Sequence, residues 1–179
     1  MSRGRVKKKK PNGNMILFID GSCNTKTKDG GFSVIVVNGK SIERNTCLCI
    51  ARGYKETTNN QMELIAYLRA IKHIHENSKG CKKAVIYSDS AYVVNGVNSW
   101  MYGWKLSNWK TSEGEPVKNV ELWKKAYERT IKLQSELKLE VRKVKAHSGN
   151  PLNELADKMA KAQSGIELET EKEIEVVLN

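Results

Sequence analysis

With 179 residues, 39% of them hydrophobic, the chain has material for one good core and too little for two full domains. Its four cysteines, Cys23, Cys47, Cys49 and Cys81, show no CxxC spacing and make no zinc pattern with the three histidines, which argues for reduced thiols in an intracellular protein. The formal net charge of +11 is uneven: residues 1–14 hold six Lys or Arg and no acid, residues 165–179 hold five Glu and one Lys, and setting aside those +6 and −4 leaves +9 on the body.

A basic body predicts an anionic partner, most simply nucleic acid, against the plainer reading that the charge serves solubility. The apolar run before Asp20 is five residues long, too short for a signal-peptide core, and nothing approaches a membrane span. A cytoplasmic monomer is expected. The run Arg5-Val-Lys-Lys-Lys-Lys-Pro fits nuclear import, a nucleic-acid arm or a solvated tail. The division expected is a basic flexible arm over 1–14, a body over 15–163 and an acidic tail over 164–179.

In chain order, residues 15–22 read as a strand, 32–37 as a second and 42–51 as a third, with Asn38-Gly39 as the hairpin turn between the last two. Cys47 and Cys49 fall on one face of that third strand. From Asn59 to His75, Leu64, Tyr67, Leu68, Ile71 and Ile74 recur at helical spacing while Arg69 and Lys72 face away, which predicts an amphipathic helix. Residues 83–87 form a short buried strand, 90–97 a helix capped by Ser90, and 120–133 another helix. Residues 139–144 alternate as a last strand, and Asn150-Pro151 opens a final helix with Pro in its first position. The order βββαβααβα predicts an α/β fold, a mixed five-stranded sheet flanked by helices. The Glu-rich tail, with Ile174, Val176, Val177 and Leu178, is left with three outcomes: disorder, an added strand, or docking on a partner.

Four carboxylates sit where elements have just been established. Asp20 ends the first strand, Asp89 follows the fourth, Glu63 lies early in the long helix and Asp157 lies in the last one. Acids at the ends of buried elements are expensive unless something neutralises them. If the first and fourth strands are neighbours, the oxygens converge at one sheet edge. Mg²⁺, which takes six oxygens and keeps several waters, suits a few monodentate carboxylates and a substrate phosphate. Two such ions about 4 Å apart activate water and stabilise a leaving oxygen. The residues point to a metal-dependent nuclease, although any one of these acids alone reads as a cap, turn or surface charge.

The segments Asp20-Gly-Ser-Cys, Thr57-Thr-Asn-Asn-Gln-Met-Glu-Leu, Tyr87-Ser-Asp-Ser-Ala-Tyr-Val and Lys145-Ala-His-Ser-Gly-Asn-Pro-Leu-Asn-Glu-Leu-Ala-Asp resemble the successive motifs of type 1 ribonuclease H. The resemblance runs over about residues 15–163, in the same order. It implies a ribonuclease H-like fold and endonucleolytic cleavage of the RNA strand of an RNA/DNA hybrid. Two Mg²⁺ ions are implied, with Mn²⁺ as the alternative, and products with 3′-hydroxyl and 5′-phosphate ends. Asp20, Glu63, Asp89 and Asp157 are implied as metal ligands, with His147 assisting turnover and product release. On its own terms His147 sits in a Gly-containing loop where an imidazole can move protons.

For the substrate, Ser22, Cys23, Asn59, Asn60 and Gln61 offer short polar groups and amides for 2′-hydroxyls across a shallow minor groove. The resemblance assigns Asn59 and Asn60 to that task and Thr58 to a DNA phosphate; the same cluster also reads as an N-cap. The Trp/Lys-rich stretch containing Trp100, Trp104, Lys105 and Lys110 resembles the basic handle of many cellular members. Its aromatics suit a sugar face and its lysines phosphates, yet at least two of the four tryptophans are expected in the core. Departures from the pattern are the loop Asn24-Thr-Lys-Thr-Lys-Asp before Gly30-Gly31, Ala91 where many relatives have Gln, and no expected N-terminal hybrid-binding module. Two other classes remain: a hybrid or double-stranded RNA binding module that does not cut, and a DNA-directed nuclease of the same broad fold.

Overall fold

The computed structural model describes residues 13–176, so the basic-arm reading falls almost wholly outside the described residues. The strands are β1 (Asn14–Cys23), β2 (Gly30–Asn38), β3 (Thr46–Tyr54), β4 (Lys83–Ser88), β5 (Lys138–Lys143) and β6 (Thr170–Glu175). They form one sheet in the order β5-β4-β1-β2-β3-β6. The first three make the expected antiparallel meander, β4 and β5 run parallel to β1, and β6 pairs antiparallel with β3. The sheet thus has the five expected strands and a sixth from the Glu-rich tail. An edge strand keeps one flank in water, which lets its glutamates stay solvated while Ile174 and Val176 pack on the core.

One local expectation fails. Asn38-Gly39 is not a two-residue hairpin turn, because Gly39–Arg44 forms a short helix, α1. The Asn38 side chain accepts from Ser41 N at 3.1 Å and caps it, and Asn45, in the left-handed region at φ 52°, closes it. The third strand consequently begins at Thr46, and Ile42 is a solvent-facing helical residue, 53% exposed.

On one face of the sheet lie α2 (Asn59–Glu76), α3 (Ala91–Asn95), α4 (Met101–Leu106) and α5 (Val120–Gln134), over the larger core. Leu64, Tyr67, Leu68, Ile71 and Ile74 of α2 are all buried there, as their spacing predicts. Tyr67 and Thr130 share a buried hydroxyl–hydroxyl bond of 2.7 Å that joins α2 to α5. A single π-helical turn, Gly96–Trp100, links α3 to α4, so the handle begins as one nearly continuous helix. Trp109 and Trp123 are buried, which meets the expectation for the tryptophans.

The opposite face carries α6 (Pro151–Ala162) over a smaller core of Phe18, Ile35, Val37, Cys47, Cys49 and Ala51. Ala156 and Ala160 let this helix lie close, and buried Ser33 donates from its hydroxyl to the Ala156 carbonyl, fixing α6 on β2. The cross-strand pair Gly31 and Gly53 clears the way for the end of α6. A Cβ on either would lie 2.4 Å from Ala160 O or 2.0 Å from Gln163 O. The chain then crosses to the open edge of β3 through a bond from Gly53 N to Ile166 O of 2.8 Å. Arg69 of α2 holds it there, with its guanidinium on Glu169 at 3.0 Å and Glu171 at 2.8 Å. Among the described residues, no helix is long and apolar enough to cross a membrane.

Candidate active site

The parallel ladder between β1 and β4 ends with Ile19 opposite Ser88, so Asp20 and Asp89 occupy the next rung of adjacent strands. Leu17 and Ile19 turn toward the larger core and Phe18 toward the smaller one. By alternation Asp20 shares the α6 side. Glu63 arrives from the other side. Thr58 caps α2 by accepting from Gln61 N at 3.2 Å, and Gly21 lets the first turn rest directly on β1. A Cβ at Gly21 would lie 2.2 Å from Glu63 N, so any side chain there pushes the helix off the strand. With that contact, one oxygen from each of Asp20, Glu63 and Asp89 falls within 4.8 Å of the others.

Three acids packed this way repel one another. Asp20 is 4% exposed; burial, then the charge of Asp89 and the hydrogen bond and charge of Asp157, push its pKa up to about 8, against a lowering contribution from the Gly21 amide. Burial pushes Glu63 up to about 10, with the charges of Asp20 and Asp89 adding. Glu63 Oε2 is buried without a hydrogen-bond partner among the described residues. An orphaned carboxylate oxygen, all-oxygen donors and acids unwilling to ionise together fit a hard divalent cation, which would replace mutual repulsion with attraction.

Asp157 reaches the cluster from α6. Partial burial works against its charged form, but Lys161 at 2.9 Å and the hydrogen bond shared with Asp20, helped by His147, hold its carboxyl below the ordinary value. Exposed His147 stands in a turn at φ 51°, followed by Gly149 at φ 82°. A left-handed conformation is uncommon for a residue with a side chain, and His147 is one of seven non-glycine residues among those described that adopt it.

Beside the acids, Cys23 N donates to Asn59 Oδ1 at 2.8 Å and Cys23 Sγ donates to Thr57 O at 3.3 Å, joining the end of β1 to the start of α2. Ser22 is half-buried in the same strand end, and Asn59 and Asn60 are exposed. Gln61 Nε2 donates to Asn119 Oδ1 at 3.3 Å, Asn119 Nδ2 to Tyr92 OH at 3.2 Å, and Trp123 Nε1 to the same hydroxyl at 2.8 Å. This chain of bonds connects the polar cluster to the handle. There Trp104 lies between Trp123 and Trp100, edge-to-face with the former at a centroid distance of 5.3 Å and tilted against the latter at 5.9 Å, and Trp100 is the outermost, 41% exposed. Lys105 lies over the Tyr127 ring and, like Lys110, is exposed.

Sequence reasoning missed Asn119, Tyr92, Asn153 and Lys161. Asn119 looks like an ordinary cap before α5 but has φ 56° and no capping bond. The signal for the other two on α6 was their spacing, since positions 153, 157 and 161 share one helix face.

A family model described as RNase H matches residues 12–165. The ribonuclease H of Treponema denticola is 39% identical over 158 residues, covering 82% of this chain and 94% of that protein. The ribonuclease H of Dechloromonas aromatica is 42% identical over 151 residues, covering 84% and 92%. Among solved structures, LC9-RNase H1, a type 1 RNase H with the type 2 active-site motif, aligns at TM-score 0.74 and 26% identity over 92% of this chain and 78% of that one. The foamy viral protease-reverse transcriptase, solved in complex with an RNA/DNA hybrid, shares the fold at TM-score 0.69 and 18% identity, over 89% of this chain and 22% of that one. Sequence and fold agree that the chain belongs to the ribonuclease H family.

Proposed function

We propose that this chain cuts the RNA strand of RNA/DNA hybrids at the carboxylate cluster, with Asp20, Glu63, Asp89 and Asp157 holding two Mg²⁺ ions, or Mn²⁺ in their place. The observation that carries this reading is the cluster itself: Asp20 and Glu63 are driven toward protonation, and Glu63 keeps a buried oxygen without a partner. When bound, such ions would lower the pKa of water and stabilise the charge on the attacking and leaving oxygens; water adding to phosphorus as the P–O3′ bond breaks, with O3′ taking up a proton, would leave 3′-hydroxyl and 5′-phosphate ends.

The chain's own residues supply the rest. Asp20, the most enclosed of the aspartates in the cluster, interacts with Glu63, Asp89 and Asp157, and with them would hold the metal. His147 stands at the rim in a Gly-bearing turn, where its imidazole exchanges protons with the departing product. Ser22, Cys23, Asn59, Asn60 and Gln61 border the cluster and read the 2′-hydroxyls that distinguish the RNA strand. Thr58, at the α2 N-terminus, and the handle residues Trp100, Trp104, Lys105 and Lys110 receive the DNA strand. The hybrid in the foamy viral complex supports the same substrate class. Residues 15–163 form the catalytic unit in this reading, with the basic arm adding phosphate contacts irrespective of sequence.

The test is incubation of the full chain with labelled hybrid, double-stranded RNA and duplex DNA, each with Mg²⁺ or with EDTA. Cleavage of the hybrid's RNA strand with Mg²⁺ alone is expected. Binding without cleavage, or cutting of duplex DNA, would overturn the proposal.

A further inference from the structure

Helix α6 delivers a second polar group to the cluster besides Asp157. Its first turn is fixed by Asn150, whose Oδ1 accepts from Leu152 N and Asn153 N, both at 3.1 Å. Asn153 is only 3% exposed. Its Nδ2 donates to Asp89 Oδ2 at 3.5 Å, and its Oδ1 is buried with no hydrogen-bond partner among the described residues. The opposite amide orientation would set oxygen against a carboxylate oxygen, so the donor end must face Asp89.

Residues four apart share a helix face, and here the pair is divided between the two strand ends. Asn153 meets Asp89 and Asp157 meets Asp20. Burying an amide with half of its hydrogen bonding unused is unfavourable, and an apolar residue would pack beside Leu152, Leu155 and Ala156 at lower cost. A buried polar group left partly unsatisfied beside a cation-seeking cluster has a ready explanation if its free oxygen belongs to that site.

We infer that Asn153 is a positioning residue for cation binding: its N–H occupies one lone pair of Asp89 Oδ2, turning the remaining lone pairs toward the ion, and its own free Oδ1 accepts from water in the same space. The inference rests on the two-ion reading above. Outer-sphere partners of this kind commonly account for a 10- to 100-fold change in metal affinity. The role differs from packing, because it predicts a defect in cation affinity that is present without substrate.

The full chain, Asn153→Ala and Asn153→Ser are titrated with Mn²⁺ by calorimetry in the absence of hybrid, with thermal unfolding in EDTA as the control for folding. The serine keeps a small polar group in the helix but is too short to reach Asp89, and it stands in if the alanine variant fails to fold. Mn²⁺ affinity is expected to fall about 10- to 100-fold in either variant. The Mg²⁺ concentration for half-maximal cleavage should rise by the same factor, with KM for hybrid unchanged at saturating Mg²⁺. A folded variant that binds Mn²⁺ as tightly as the parent would overturn the role of Asn153 and leave the two-ion reading standing. A parent chain that binds no Mn²⁺ would overturn that reading itself.

Discussion

Two of the places that enclose charge among the described residues handle it in opposite ways. At the end of β1, Asp20, Glu63 and Asp89 are enclosed together, and the nearby cation, Lys161, pairs with Asp157. At the edge of β3, the Arg69 side chain is 10% exposed, but Glu169 and Glu171 meet its guanidinium through a forked set of bonds. The second site supplies its own counter-charge, although Arg69 Nη1 is buried without a hydrogen-bond partner among the described residues. The first leaves its imbalance standing, and that imbalance is what the proposed metal site would draw on. The same contrast separates the family domain from its extension, since the RNase H match ends at residue 165 and both glutamates lie beyond it.

The contrast is broken most severely at Asp20. Asp20→Asn keeps the shape and removes an ionisable group, so cleavage should vanish while hybrid binding persists, and above about pH 8, where Asp20 itself ionises, the melting temperature in EDTA should rise as repulsion is relieved. Substantial turnover by a pure preparation would sink the assignment. His147 stands outside the buried charge, and His147→Ala should slow steady-state cleavage by about 10- to 100-fold without abolishing it, since water partly replaces a positioned proton carrier. An unchanged rate from pH 6 to 9 would make His147 a bystander.

Proton linkage sharpens the comparison. Asp20 and Glu63 have folded-state pKa values of about 8 and about 10, raised above their ordinary values of 3.8 and 4.5. Their protons are held more tightly in the folded chain, so their contribution is fully present below about pH 4 and is lost as pH rises through the folded values. In EDTA, the melting temperature should therefore carry a falling component between pH 5 and 9, and saturating Mg²⁺ should flatten it. Parallel curves with and without Mg²⁺ would contradict this account. The smallest effect is expected at the Arg69 clasp. Glu169→Ala with Glu171→Ala strands the guanidinium, at about 1–3 kcal/mol rather than the ~3–5 of a fully buried pair, because the two glutamates are 35% and 53% exposed. Denaturant unfolding measures it, and the cleavage rate at saturating Mg²⁺ should not change.

Much of the site was legible in the chain because its elements announce themselves locally. Apolar runs dropping onto Asp20 and Asp89 mark strand ends, and the spacing from Leu64 to Ile74 places Glu63 one turn into a helix. What escaped depended on neighbours distant in sequence. The alternation over 42–51 resembles a strand, but Asn38 and Asn45 supply caps at both ends of a helical turn. The Glu-rich tail left disorder, an added strand and docking all open in the sequence, and the paired glycines of β2 and β3 with Arg69 of α2 are what select the edge strand. The amides of Asn119 and Asn153 find their partners across 58 and 64 residues, a separation that no local pattern encodes.

The rung shared by Asp20 and Asp89 also makes the sheet a gauge. Adjacent strands lie about 4.8 Å apart whatever their sequence, so the spacing of these two backbones is set by peptide geometry and owes nothing to loops. A slip of one residue between β1 and β4 would turn Asp89 to the opposite face and dissolve the cluster. A divalent ion that binds only the correctly registered pairing draws chains toward that pairing by mass action. A cation held at this cluster would thereby proofread the sheet, favouring the one alignment of β1 with β4 that brings Asp20 and Asp89 together.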